Sequence, residues 1–118
     1  MLPSETVLHT TMRILLVDDE AGVLRALTRL FERRGHEVRT AASGEAALAL
    51  LDTFTPDVVV SDHKMSGMTG AVLLDAIGRR LPAARRVLLS GYAEVEGLTG
   101  VRFVAKPYVT AELLQACE

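Results

Sequence analysis

VVVSDHKMSGMTG, residues 58–70, runs three valines into a serine and then a single aspartate, Asp62, ahead of a histidine, a lysine and a glycine-punctuated loop. A β-branched run too short for a helix reads as a buried strand. The charge stands where that strand stops. Either Asp62 caps a turn, or the fold delivers a carboxylate to a particular place. The second reading requires partners elsewhere in the chain.

On both sides of this stretch the same grammar repeats. Arg13–Val17 (RILLV) is a short apolar run that stops at Asp18-Asp19, again a strand. Val23, Leu24, Leu27, Leu30 and Phe31 then fall on one helical stripe. Arg33 and Arg34 suit the negative end of that helix, and Gly35 stops it. Residues 38–40 form a brief strand. Ser43 is placed to N-cap a helix that turns Ala47, Leu50, Leu51 and Phe54 inward. Pro56 closes that region, and residues 57–61 are the valine strand. Gly70–Arg80 reads as a helix with Leu73, Ala76 and Ile77 inward. Residues 87–90 (VLLS) and Val101–Ala105 are two more strands, the second closed by Lys106-Pro107. Thr110 is placed to N-cap a last helix through Cys117, which looks cut short. Strand and helix thus alternate five times. Continuous apolar strands between amphipathic helices specify an α/β fold, a parallel sheet covered on both faces with right-handed crossovers.

The 118 residues suit one domain, and nearly half are hydrophobic, enough for a packed core. A net charge of −2 with both signs interspersed gives no electrostatic case for direct nucleic-acid binding. The single cysteine, Cys117, leaves no internal disulfide and no structural zinc site, so it reads as a buried thiol. No apolar run nears the ~20 residues of a membrane span. The opening MLPSETVLHTT lacks the anatomy of a signal peptide. Residues 1–11 are read as an N-terminal tail, 12–118 as the domain, and the reducing cytoplasm as its setting.

In a parallel sheet of this kind, ligands gather at the carboxyl ends of the strands. Those ends carry Asp18-Asp19, Asp62, Ser90-Gly91 and Lys106. Three carboxylates brought together repel, by about 4 kcal/mol per pair at ~4 Å and an effective dielectric of ~20. They stay ionised if a cation offsets them. Oxygen ligands without His or Cys at chelating spacing favour a hard ion, Mg²⁺ or its substitute Mn²⁺. A metal, an amine and a hydroxyl around a carboxylate suit phosphoryl transfer, with the carboxylate as nucleophile.

These residues carry a resemblance. LLVDDE (15–20), VVVSD (58–62), M-x-G-M-x-G (65–70), LLSGYAE (88–94) and FVAKP (103–107) occur in order and at strand ends, and together they resemble a response-regulator receiver domain of a two-component system. The resemblance covers roughly residues 12–118. It implies a doubly wound five-stranded sheet in the order 2-1-3-4-5. It implies Asp62 as acceptor of a phosphoryl group from a sensor histidine kinase, and Asp18, Asp19, Asp62 and the carbonyl of Lys64 as metal ligands. Ser90 and Lys106 would bind phosphoryl oxygens. Phe103 matches the aromatic coupled to the serine. Gly91 keeps the next position small, and Tyr92 lies near the mouth of the site. A cis Lys106-Pro107 bond is also implied. An output domain or downstream protein, and a homodimer, are the further partners that such domains suggest.

Three features depart from the pattern. Ser66 stands where receivers usually have proline, which leaves the loop freer. Lys64 places a cation two residues after the acceptor, where it can tune phosphorylation and hydrolysis. From Ser90 to Lys106 the chain runs 16 positions, about six fewer than the resemblance implies, or ~9 Å of helix. The fourth helix is therefore expected to be shortened to one turn near 94–98, or replaced by a loop. His63 is read as turned away from the site, Met65 and Met68 as packing, and the pairs Arg33-Arg34, Arg79-Arg80 and Arg85-Arg86 as solvated.

Other functions compete. A pseudo-receiver would keep the fold as a phosphorylation-independent interaction module; the short fourth helix speaks for it and the complete acidic and lysine positions against. A phosphatase of the haloacid dehalogenase type would want D-x-D after the first strand, where this chain has adjacent acids. A nucleotide or flavin binder would want a glycine-rich loop there.

Overall fold

The valine run forms the middle of a five-stranded parallel sheet. The computed structural model describes residues 10–91 and 98–118. Within them the order is β1 (Arg13–Val17), α1 (Ala21–Arg33), β2 (Glu37–Ala41), α2 (Gly44–Leu50), β3 (Val58–Asp62), α3 (Gly70–Arg80), β4 (Arg85–Ser90), β5 (Val101–Ala105) and α4 (Thr110–Cys117). The strands lie in the order β2-β1-β3-β4-β5, and every pairing is parallel. All five residues of β3 are buried, as a strand covered on both faces demands.

Side-chain alternation along the strands divides the core in two. Ile14 and Leu16 of β1 join Val58, Val60, Leu27 and Phe31 on the face covered by α1 and α4. Leu15 and Val17 join Val59, Leu73, Leu74 and Ile77 on the face covered by α2 and α3. Each fully buried Leu, Ile or Phe stabilises the fold by roughly 1.5–3 kcal/mol. Cys117 is fully buried, and burial pushes its thiol up to about 12.

The helix ends follow the sequence with two corrections. The first is that α2 stops at Leu50 and leaves the inward Leu51 and Phe54 beyond its end. The Ser43 hydroxyl accepts from the Ala46 amide. Gly35 adopts φ 88°, and the amides of Gly35 and His36 return to the carbonyls of Glu32 and Phe31, which closes α1. Thr110 does not cap α4. Val109 is the N-cap, with no side-chain bond; its carbonyl accepts from Leu113, so Thr110 is already inside the first turn.

The helix-end arginines are exposed or partly exposed, as expected of solvated ends, and surface ion pairs form there. Arg34 is paired with Glu118, Arg80 with Asp52 and Arg79 with Asp75. Arg85 and Arg86 belong to β4, which starts two residues earlier than expected. The Arg85 guanidinium donates to the Cys117 carbonyl. That of Arg86 donates to the carbonyls of Leu74 and Thr99. These bonds tie β4 to the end of α4, to α3 and to the segment before β5. Four helices stand among the described residues, not five. The expected turn near 94–98 falls largely on residues outside them; Leu98 is described, is not helical, and packs against the α2–α3 core.

Candidate functional site

Strand pairing assembles the site. Val17 of β1 is in register with Ser61 of β3, so Asp18, one residue past β1, comes beside Asp62, the last residue of β3. Asp18 and Asp62 are buried, at 2% and 4% exposure, whereas the other described acids are exposed or partly exposed. Asp19 is exposed. One carboxylate oxygen from each of the three lies within 4.8 Å of the others.

Lys106 arrives from the far side. Ser90 of β4 is in register with Ala105 of β5, and the Lys106 amide donates to the Ser90 carbonyl at 2.9 Å. The Lys106-Pro107 bond is cis, as the resemblance implied. β4 separates β3 from β5, so the lysine side chain crosses the end of β4 to reach Asp62. Its Nζ donates to Asp62 Oδ1 at 2.5 Å.

Each acid has a donor. The Glu20 amide donates to Asp18 Oδ1 at 2.9 Å, and the Ser66 amide to Asp19 Oδ2 at 3.2 Å. Burial pushes the Asp18 carboxyl above its ordinary range; the Glu20 amide pulls it back, and the neighbouring Asp62 charge raises it again. The hydrogen bond to Asp62 raises the Lys106 ammonium above its usual range, against the effect of burial. A buried acid held up by its like-charged neighbour is what a divalent cation corrects. Three convergent carboxylates with no nitrogen or sulfur donor among them fit a hard ion.

Asp62, His63, Lys64, Ser90, Gly91 and Lys106 line a cavity of about 390 Å³. Ser90 is buried. A Cβ added at Gly91 would meet no described neighbour within 4 Å, so packing against the described residues does not demand glycine there. His63 borders the cavity, nearer than the sequence reading put it, but its Nδ1 accepts from the Ala71 amide in the first turn of α3. Phe103 does not line the cavity. It is 37% exposed and faces a groove with Arg102, Glu112 and Gln115. Tyr92 lies outside the described residues.

Sequence reasoning missed several supports. Gly70 is where α3 meets β3: a Cβ there would collide with the Asp62 carbonyl oxygen and crowd Leu88. The glycine spacing of M-x-G-M-x-G was the available signal. Thr69 caps α3 by accepting from Val72, and a threonine just before a helix could have been read as a cap. The amides of Glu20 and Ser66 carry no side-chain signal at all.

Comparison with known proteins agrees with this geometry. A match to the family described as "Response regulator receiver domain" spans residues 14–118. The chain is 36% identical over 107 residues to the regulatory protein AtoC of Escherichia coli, a match covering 86% of this chain and 23% of AtoC. The chain thus corresponds to less than a quarter of that relative's length. Among solved structures it resembles the signal receiver domain of an HD domain-containing protein from Pseudomonas fluorescens, with a TM-score of 0.83, 29% identity and 91% of each chain covered. It also resembles the response regulator protein TrrA from Thermotoga maritima, with a TM-score of 0.78, 29% identity, and 87% of this chain and 93% of that one covered. With its strand order, its three clustered acids and its lysine just past the fifth strand, the chain belongs to the response regulator receiver domain family.

Proposed function

We propose that this domain is a phosphoacceptor switch in which Asp62 takes a phosphoryl group from a phosphohistidine of a sensor kinase. The observation that carries the reading is the Lys106–Asp62 contact, made within 4.8 Å reach of two further carboxylates. Asp62 attacks phosphorus, the phosphorus–nitrogen bond breaks, the histidine nitrogen keeps the electron pair, and an acyl phosphate forms on Asp62. Lys106, already at the acceptor, binds a phosphoryl oxygen and offsets its charge; Ser90, on the cavity wall, binds another. Asp18, Asp19, Asp62 and the Lys64 carbonyl would hold Mg²⁺ or Mn²⁺, which when bound supplies charge for the remaining oxygens. The related TrrA domain is described in complex with Mg²⁺ and BeF, which supports that reading.

Phosphorylation then shifts a two-state equilibrium through Ser90 and Phe103. Lys64, Gly91 and Tyr92 are read as modulators at the mouth of the site. The domain is a switch with slow self-dephosphorylation rather than a turnover enzyme. It is read as residues 12–118 behind a tail of 1–11, working in the cytoplasm, where kinases have their nucleotide. An output domain, a downstream protein or a second copy receives the signal. The complete set of acids and lysine favours this over a phosphorylation-independent interaction module.

The test is chemical. Incubated with Mg²⁺ and acetyl phosphate or phosphoramidate, the protein should gain the mass of one phosphoryl group, and Asp62→Asn should not. A wild-type protein that gains no mass would sink the reading.

A further inference from the structure

The backbone amide of Ser66 donates to Asp19 Oδ2 at 3.2 Å, across 47 residues of chain. Proline is usual at this position in receivers, and proline has no N–H to donate. The three acids of the cluster differ in how they are held. Asp18 and Asp62 are buried, and each has one oxygen fixed, by the Glu20 amide and by Lys106 Nζ. Asp19 is exposed, so packing does not choose its rotamer. Repulsion from two neighbouring carboxylates favours its swinging away from them.

The donor that opposes this sits on an anchored loop. The Gly70 amide closes the loop onto the His63 carbonyl at 2.9 Å. Met65 and Met68, on either side of Ser66, pack against the α2–α3 core. The Ser66 N–H is therefore presented from a braced backbone, and the bond leaves Asp19 Oδ1 for another ligand.

We propose that Ser66 is a positioning residue for the divalent-cation site, its backbone amide holding the exposed Asp19 carboxylate in place beside Asp18 and Asp62. The inference rests on the reading of the acid cluster as a cation site. Its distinguishing feature is that the amide acts and the hydroxyl does not. Ser66→Ala keeps the donor; Ser66→Pro removes it.

Titration with Mg²⁺ by calorimetry should find Ser66→Ala equal to wild type and Ser66→Pro weaker by about three- to tenfold, the scale of a typical net hydrogen bond. Equal or tighter binding by Ser66→Pro would overturn the proposal. Proline also stiffens the loop, so the substitution is repeated in Asp19→Ala. If the amide acts through Asp19, proline has no further effect there; a full effect in that background overturns the assignment. A cation-free measurement stands apart from the loaded site: by NMR, the Ser66 amide should exchange with solvent faster in Asp19→Ala than in wild type, and an unchanged rate would again overturn it. Wild-type protein that binds no Mg²⁺ would remove the cation-site reading and this inference together. Binding by wild type with no loss in Ser66→Pro would remove the inference alone.

Discussion

At the scale of single residues, hydrogen-bond partners decide what the titratable groups do. His36 is buried, and the Met12 amide donates to its Nδ1 at 3.0 Å. That bond requires a lone pair on Nδ1, so Nε2 carries the hydrogen and donates to Glu118 Oε2 at 2.9 Å. The Arg34 guanidinium makes two further bonds to Glu118, each at 2.6 Å. The Arg34 bonds, with help from His36 and against partial burial, lower the Glu118 carboxyl from 4.5 to about 2. A carboxyl depressed in the fold contributes stability that is complete above its unfolded value and is lost as pH falls through the folded one. Glu118→Gln, which mimics the protonated acid, should therefore lower the urea midpoint near neutral pH. The gap from wild type should close as pH falls from 4.5 toward 2. A gap that persists unchanged at the acid end would show that the charge is not what holds this corner.

At the scale of elements, one contact sets where α3 begins. Gly70 starts the helix directly against the end of β3, with no room for a Cβ beside the Asp62 carbonyl oxygen and little beside Leu88. Its φ is not positive, so the requirement is for space and not for an unusual backbone. Gly70→Ala should cost about 1–3 kcal/mol of stability, the usual scale of overpacking. It should also reduce phosphoryl uptake, since the displaced strand end carries the acceptor. Urea unfolding and the acetyl phosphate mass shift measure the two effects. Loss of neither would mean that the helix end shifts freely. Arg86 plays a related part at the other end of the sheet. It ties the short connection after β4 to α3 through the carbonyls of Thr99 and Leu74.

At the scale of the whole molecule, two core layers and a central sheet converge on one charged edge. Asp18 is buried there without enough positive charge to keep its carboxyl in the ordinary range. Binding a cation should therefore stabilise the entire fold by linkage. At about one hundred times its Kd the ion adds about 2.7 kcal/mol, which raises Tm by roughly 10 °C for a domain of this size. The rise should vanish with a chelator and should be largely absent in Asp18→Asn. Thermal unfolding with and without Mg²⁺ measures it, and an unshifted Tm at saturating ion would contradict the site.

The sequence by itself determined the strand and helix alternation, because burial on two faces writes continuous apolar strands and one-sided helical stripes locally into the chain. It also marked Asp18, Asp19, Asp62, Ser90 and Lys106 as strand-end residues, and the resemblance carried by five motifs supplied the strand order. What only the tertiary structure decided are the pairings between residues distant in the chain. Lys106 meets Asp62 across 44 positions, and the Ser66 amide meets Asp19 across 47. Arg85 and Arg86, legible only as a charged pair, serve as donors to the backbone of α4, α3 and the segment before β5. Such bonds depend on strand register, crossing distance and side-chain reach, and a backbone amide leaves no mark in residue identity that a reader of the sequence could follow.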